Sequence, residues 1–401
     1  MSERGRITIN PFWLMTALFL TAALFFALVK GLEVLPGVTG PSNLKWIRVH
    51  LITIGTVLQM VFATLPGFVA RKWGFADRSP REAWLQWALL NSGYLLVIFG
   101  LVGMENWTAT LGAALVFTAV WRLLAGMVTA WRQAGGAWRE SLRFFAAAPI
   151  YLLVGIIMAV SLLFNWWAPG GRPGVYEAHV HANVWGFAAQ LVAGFMLDLF
   201  PAVTGAKQLA RPQWTGRVFW LLNTGAMALV AGPWLGLHFI TVPGLLLYMA
   251  GTAALVANLI LTLRAHAPIS PDGAQLVLAY LWMVVPAFFA PFIVLAPHLV
   301  RASAIEAVAT QGLINGWLLG IVLVALPRVL AGRQDFGADG THPGGGWFSV
   351  IALNLGVGLV WSTGVIYHPL ANQVLVLTGY SLIGLAWIPL LRQVWSSIAI
   401  S

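Results

Sequence analysis

Runs of roughly twenty apolar residues follow one another along this chain, separated by short stretches rich in Gly, Pro and Arg, and each is long enough to cross a bilayer as a helix. Twelve such runs begin near Pro11, Trp46, Trp84, Thr108, Phe144, Ala178, Val218, Phe239, Ala274, Ile305, Trp347 and Asn372. Short strands of alternating polarity, which a membrane barrel requires, do not appear. Three of the runs share an internal order. The second reads RVHLITIGTVLQMVFATLP from Arg48, the sixth HVHANVWGFAAQLVAGFMLDLFP from His179, and the tenth QGLINGWLLGIVLVALP from Gln311. Their polar heads are His50, His181 and Gln311; Gly55, Gly186 and Gly316 follow five positions later, and Pro66, Pro201 and Pro327 further on. The heads recur at intervals of about 130 residues, the mark of internal duplication. The pattern predicts one all-α transmembrane domain over residues 1–401, with twelve helices in three pseudo-threefold four-helix repeats, approximately 1–131, 132–265 and 266–401.

Composition supports this picture. Hydrophobic residues make up 60% of the chain and charged residues 8%, with a mean hydropathy of +0.84. The net charge of +10 would suit nucleic acid, but the basic residues sit between spans, where membrane topology accounts for them, so no nucleic-acid partner is expected. Lys30, Lys45, Arg48, Arg172 and Arg301 fall on one side, and the other side holds the rest, from Arg4, Arg6, Arg71 and Lys72 through Arg139 to Arg333 and Arg392. Only Arg122 lies inside a span. The positive-inside rule then places both termini in the cytoplasm, and a prokaryotic inner membrane is the expected location. The first run is too long for a signal-peptide core and lacks a clear small-residue cleavage site, so it is expected to be retained. With no cysteine, thiolate haem ligation, iron–sulfur clusters and covalent haem attachment are excluded.

In that topology His50, His179, His181, His238, His298 and His368 fall towards the outer face, and His266 and His342 on inner loops. Ionisable side chains are costly within a bilayer and usually functional there. A histidine near a helix start can also simply hydrogen-bond a neighbouring helix. His179 and His181 are harder to assign to packing: residues two apart on a helix differ by about 200°, so their rings face opposite sides and could serve two sites. Gly55, Gly186 and Gly316 would leave room for a flat macrocycle, or else allow close helix packing. Arg48, Arg172 and Arg301 lie close in sequence to His50, His179 and His298, as haem propionates would require; interfacial snorkelling is the alternative. Arg122 and Asp198, inside their spans, are expected to pair or to line a polar path. Glu177 could orient a ligand ring or cap its helix.

These features together resemble subunit I of the haem-copper oxidase superfamily, the oxidases and nitric oxide reductases. Arg48-x-His50 resembles its low-spin haem ligand helix, and His179-x-His181 with Gly186 and Pro201 its paired-haem helix. Here the His-x-His helix is the sixth rather than the tenth, helix ten opens with Gln311, and the standard copper-site histidines have no match. In size the chain is closer to the NnrS-type haem- and copper-containing membrane proteins. It shares with them a His-headed helix, then Gly186-Phe187, then Pro201 followed by Thr204-Gly205. The resemblance implies one or two b-type haems, with copper as a further candidate metal and His50, His179, His181 and His298 as candidate metal ligands. Arg48 and Arg301 would be further cofactor-binding residues. It also implies electron transfer, or redox chemistry of nitric oxide or oxygen near the outer face, with a donor protein or quinol as partner in the lipid membrane. A cofactor-free transporter or channel, or a degenerate structural subunit of a respiratory complex, are the competing readings.

Overall fold

Helix starts follow from local chemistry. Asn10, Ser79 and Ser270 each precede a proline at the first helical position, and each side chain accepts a backbone N–H: from Phe12 at 3.1 Å, Glu82 at 3.2 Å and Gly273 at 3.1 Å. That is the capping arrangement that satisfies otherwise orphaned donors. Gly205 and Gly236, both at φ +72°, end their helices in the left-handed region that glycine adopts without strain.

The computed structural model describes residues 10–74, 77–133, 140–266, 268–330, 346–366 and 368–399. Arg4, Arg6, Arg139, Arg333 and His342 lie outside them. Among the described residues the chain is helical and contains no strand. In chain order the helices are α1 (Pro11–Leu32), α2 (Leu44–Trp73), α3 (Pro80–Val102), α4 (Asn106–Gln133), α5 (Ser141–Leu163), α6 (Gly171–Thr204), α7 (Thr215–Leu235), α8 (His238–Ala265), α9 (Pro271–Leu295), α10 (Ala302–Val329), α11 (Gly346–Ser362) and α12 (Pro369–Ala399). Eleven are long and apolar enough to cross a membrane, and α11 is a shorter apolar helix of 17 residues. Their starts lie close to the twelve expected runs, except that α6 begins two turns before Ala178. That early stretch is held by packing: the Gly170 N–H donates to the Trp234 carbonyl at 2.8 Å, and a Cβ at Gly174 would strike the Pro233 carbonyl. Large apolar side chains such as Phe25, Phe99, Ile150, Leu246, Ile351 and Val374 are exposed, which accords with a lipid-facing surface and not with an aqueous one.

Residues Met1–Thr64 and Ser270–Ser401 form one compact unit, and Leu65–Ile269 a second. In the first unit α1 packs on α2 and α12, α9 on α10, and α11 on α12. In the second, α3 pairs with α4, α5 packs on α4 and α6, and α7 pairs with α8. Three of these pairs meet glycine to glycine: Gly93 with Gly112, Gly225 with Gly244, and Gly356 with Gly379. A Cβ at Gly93, Gly225 or Gly356 would stand 2.7–2.8 Å from a facing carbonyl oxygen or backbone nitrogen. Without hydrophobic drive between helices in lipid, such close backbone approach is what holds them.

Pro66, Pro201 and Pro327 all sit inside their helices. The irregularity lies earlier, directly after the polar heads. Leu51–Leu58, Ala182–Ala188 and Gly312–Leu318 are π-helical, each beginning on the residue after His50, His181 or Gln311. In the first, the Thr56 hydroxyl donates to the Leu51 carbonyl at 3.0 Å, five residues back instead of the usual four. Such widened turns are rare and concentrate where a helix is shaped for function.

Candidate functional site

In the second unit, α6 carries His179 and His181 on its last regular turn before the π-helical stretch. Their Nδ1 atoms go to different neighbours. His179 Nδ1 is 2.8 Å from the Gly155 carbonyl on α5, and His181 Nδ1 is 2.6 Å from the Leu229 carbonyl on α7. The opposed directions expected from two-residue spacing are therefore present. Asn183, one turn on, donates to the His179 carbonyl at 2.7 Å and fits against Gly155, whose missing Cβ leaves room for the amide. In the first unit, His50 Nδ1 is 2.9 Å from the Trp46 carbonyl, and its ring stacks on Trp46 at 4.1 Å between centroids.

A carbonyl oxygen can only accept. At each of these three histidines Nδ1 must therefore carry a proton, and in the neutral ring Nε2 holds the lone pair. This is the tautomer of a metal-ligating imidazole whose other nitrogen is anchored by the protein. On that observation Nε2 is the nitrogen through which each of these rings could bind a metal ion. All three are half-buried.

The glycines take the second of the two roles open to them. A Cβ at Gly55, Gly186 or Gly316 would run into the side chain of Phe19, Tyr151 or Trp282 respectively. The space beneath each head is thus filled by an aromatic ring of the preceding helix, α1, α5 or α9, and not left for a macrocycle. Close packing is the role of these glycines. Tyr151 is fixed further by its hydroxyl, which donates to the Asn223 carbonyl at 2.8 Å, and Trp282 by its indole N–H, which donates to Asn354 at 2.8 Å.

Of the arginines, Arg48 is buried and committed. Its guanidinium donates to the Tyr380 hydroxyl at 3.1 Å and to Gln311 Oε1 at 3.2 Å, and lies 4.7 Å from the Tyr380 ring centroid. Gln311 Oε1 also accepts from Tyr380 at 2.9 Å and from Asn315 at 3.2 Å. The heads of α2 and α10 are therefore joined by one polar cluster, with only the Arg48 Nε lacking a hydrogen bond on that side chain. Sequence singled out Arg48 and Gln311 separately; Tyr380, far along the chain on α12, carried no signal. Arg172 closes the end of α5, donating to the Leu162 carbonyl at 2.8 Å and to Asn165. His298 is exposed in a short 3-10 turn at Pro297–Leu299, and Arg301 is exposed where α10 begins. His368 Nδ1 accepts the Ala371 N–H at 3.3 Å at the start of α12, and His238 is the exposed first residue of α8. Among the described residues no three His, Asp or Glu side chains gather into a set that could hold a metal ion.

Arg122 and Asp198 are each paired. Arg122 grips Glu82 through Nε at 2.9 Å and a terminal nitrogen at 2.5 Å. Lys72 meets both Asp198 oxygens at 2.5 Å and Ser141 at 3.0 Å, joining the end of α2 to α6 and α5.

A further polar group escaped the sequence reading. Nine residues after their heads, Gln59 and Gln190 are completely buried. The corresponding residue of α10 is Gly320, and the space its Cβ would occupy is met by the Gln275 amide of α9, 2.6 Å away. An amide thus occupies this depth in all three places, twice from the headed helix and once from its neighbour. No protein-family model matches the chain, and no curated protein matches it.

Proposed function

We propose that this is a b-type haem-binding membrane protein built from three four-helix repeats, related in plan to subunit I of the haem-copper oxidases. In this reading His50, His179 and His181 present Nε2 to haem iron, and both termini are cytoplasmic. The observation that carries it is the shared Nδ1-to-carbonyl anchoring of the three intramembrane histidines, which fixes the tautomer a metal ligand needs. Two further recurrences support the repeats: a π-helical turn directly after each polar head, and an aromatic ring from the preceding helix under each glycine. Where a haem is bound it supplies the redox chemistry; the chain sets ligation, burial and orientation. Arg48, with its Nε uncommitted, and Arg301 are the candidate partners for haem carboxylates. Electron transfer, or chemistry on nitric oxide or oxygen near the outer face, is the resulting activity, with a donor protein or quinol supplying electrons.

The test is a visible spectrum of the detergent-purified protein, oxidised and dithionite-reduced, for wild type, His50→Ala and His181→Ala. A b-type alpha band in wild type that is weakened in both variants is expected. A wild-type protein that is folded, colourless and free of bound iron, even after addition of haemin, would remove the haem reading in favour of a transporter or a structural subunit.

A further inference from the structure

In the second unit α5 begins at Ser141, which Lys72 contacts, and runs to Leu163 at the opposite end. Residues 164–170 then link it to α6, and an open hollow of about 210 Å³ lies against that link. Ser161 and Leu162 of α5, Asn165, Trp166 and Trp167 of the link, and Arg172 of α6 are among its lining. The link is held in one shape. Asn165 stands at φ +50° and Gly171 at φ +65°, in the left-handed region that asparagine and glycine enter at least cost. The Trp166 N–H donates to the Ser161 carbonyl at 3.0 Å, and the Gly170 N–H to the Trp234 carbonyl at 2.8 Å.

This arrangement fixes the Arg172 guanidinium by one nitrogen only. Nη1 donates to the Leu162 carbonyl at 2.8 Å and to the Asn165 side-chain oxygen, both neutral acceptors. Among the described residues no carboxylate pairs with Arg172. Neither Glu105, just before α4, nor Glu177 comes within ion-pair distance of it, and Glu177 lies about 140° round α6. The charge therefore stays whole, and the edge formed by Nε and Nη2 keeps its donors. Arg122 grips the Glu82 carboxylate with that same edge, and such an edge takes two oxygens of one phosphate. Beside it stand two indoles, Trp166 at 54% exposure and Trp167 at 85%, whose faces attract an ammonium group. Further into the span, Ile157 lies one turn from Ser161, whose hydroxyl donates to the Ile157 carbonyl at 2.9 Å. Ile150 follows two turns beyond on the same face, and both isoleucines are exposed. From the helix end inward the order is cation and indole, then aliphatic strip, which is the order of a phospholipid.

We infer that this hollow seats one zwitterionic phospholipid. Its phosphate takes the open edge of Arg172, its ammonium lies on Trp166 or Trp167, and an acyl chain follows Ile157 and Ile150. An anionic headgroup would satisfy the guanidinium but leave the indoles without a cation. A free phosphate ester would leave the aliphatic strip uncovered. The inference rests on the transmembrane character of the chain and is independent of any haem.

The experiment is native mass spectrometry of the delipidated full-length protein in detergent. The ligands added are phosphatidylethanolamine, phosphatidylglycerol with the same acyl chains, and glycerophosphoethanolamine, which has the headgroup without the chains. Trp166→Leu with Trp167→Leu should lower the ratio of phosphatidylethanolamine to phosphatidylglycerol affinity about fivefold, the scale of a cation–π contact. Arg172→Gln should weaken phosphatidylethanolamine binding about tenfold, as loss of a charge-assisted grip on phosphate predicts. Its melting in lipid-free detergent is compared with wild type, because Arg172 also closes the end of α5. The paired tryptophan change leaves Arg172, Leu162 and Asn165 as they are, and carries the test if Arg172→Gln fails to accumulate. An unchanged lipid ratio in the tryptophan variant would overturn the proposal. So would wild-type phosphatidylethanolamine affinity in a folded Arg172→Gln protein, or glycerophosphoethanolamine competing as well as the intact lipid.

Discussion

At the scale of single residues, what a side chain can do here is set by which of its atoms is already engaged. The imidazoles of His50, His179 and His181 spend Nδ1 on carbonyls, so the same substitution has different meanings at different atoms. Asparagine at 181 can imitate an Nδ1 donor but offers nothing where Nε2 stood. His181→Asn is therefore expected to keep the fold and lose ligation, read as wild-type melting with a diminished reduced-minus-oxidised band; a full band would show that His181 ligates nothing. Glycines divide in the same way. Gly186→Ala places a methyl group in the Tyr151 ring and should destabilise by about 1–3 kcal/mol, the usual cost of overpacking. Gly126→Ala meets open space and should gain up to about 1 kcal/mol from helix propensity. Tryptophan fluorescence during thermal unfolding in detergent compares the two. The opposed faces of His179 and His181 were legible in the sequence, because helical geometry alone dictates them. The filled space beneath Gly55, Gly186 and Gly316 was not, because Phe19, Tyr151 and Trp282 sit one helix earlier and nothing local links them to the glycine they cover.

At the scale of elements, the helices and their approximate starts could be read from apolar runs and caps, since lipid obliges every backbone group to bond within its own segment. What those runs conceal is the wide turn. No residue type in Leu51–Leu58 or Ala182–Ala188 announces a π-helix. Pairing of charges was similarly hidden. Arg328 and Asp272 form a buried ion pair at 2.8 Å that joins α10 to α9. Asp272→Ala should cost about 3–5 kcal/mol by leaving a buried cation, whereas Asp272→Leu with Arg328→Met should recover most of that loss. Failure of the double variant to melt above the single one would mean that the pair has a role beyond its own balance of charge. Arg48 behaves differently, because its buried guanidinium is met by neutral oxygens of Tyr380 and Gln311, and those partners come from α12 and α10, beyond the reach of any local motif.

At the scale of the molecule, the first unit is assembled from the two ends of the chain and the second from its middle. Fragments 1–269 and 270–401, expressed together, are expected to co-purify through α1 with α12 and through the Arg48–Gln311 junction. Separate elution from a tag on either fragment would contradict that. The α1–α12 seam is specific. Gly31 faces the Tyr380 Cβ, Gly384 admits the Leu28 side chain, and the Trp395 indole donates to the Thr21 hydroxyl at 3.3 Å. During synthesis α1 is made well before its partner. At about 5–20 residues per second, α1 waits tens of seconds in the bilayer with its small-residue face uncovered. Over that interval lipid, or a membrane chaperone, must occupy the strip that α12 will finally take, and a premature helix from another chain would compete for it.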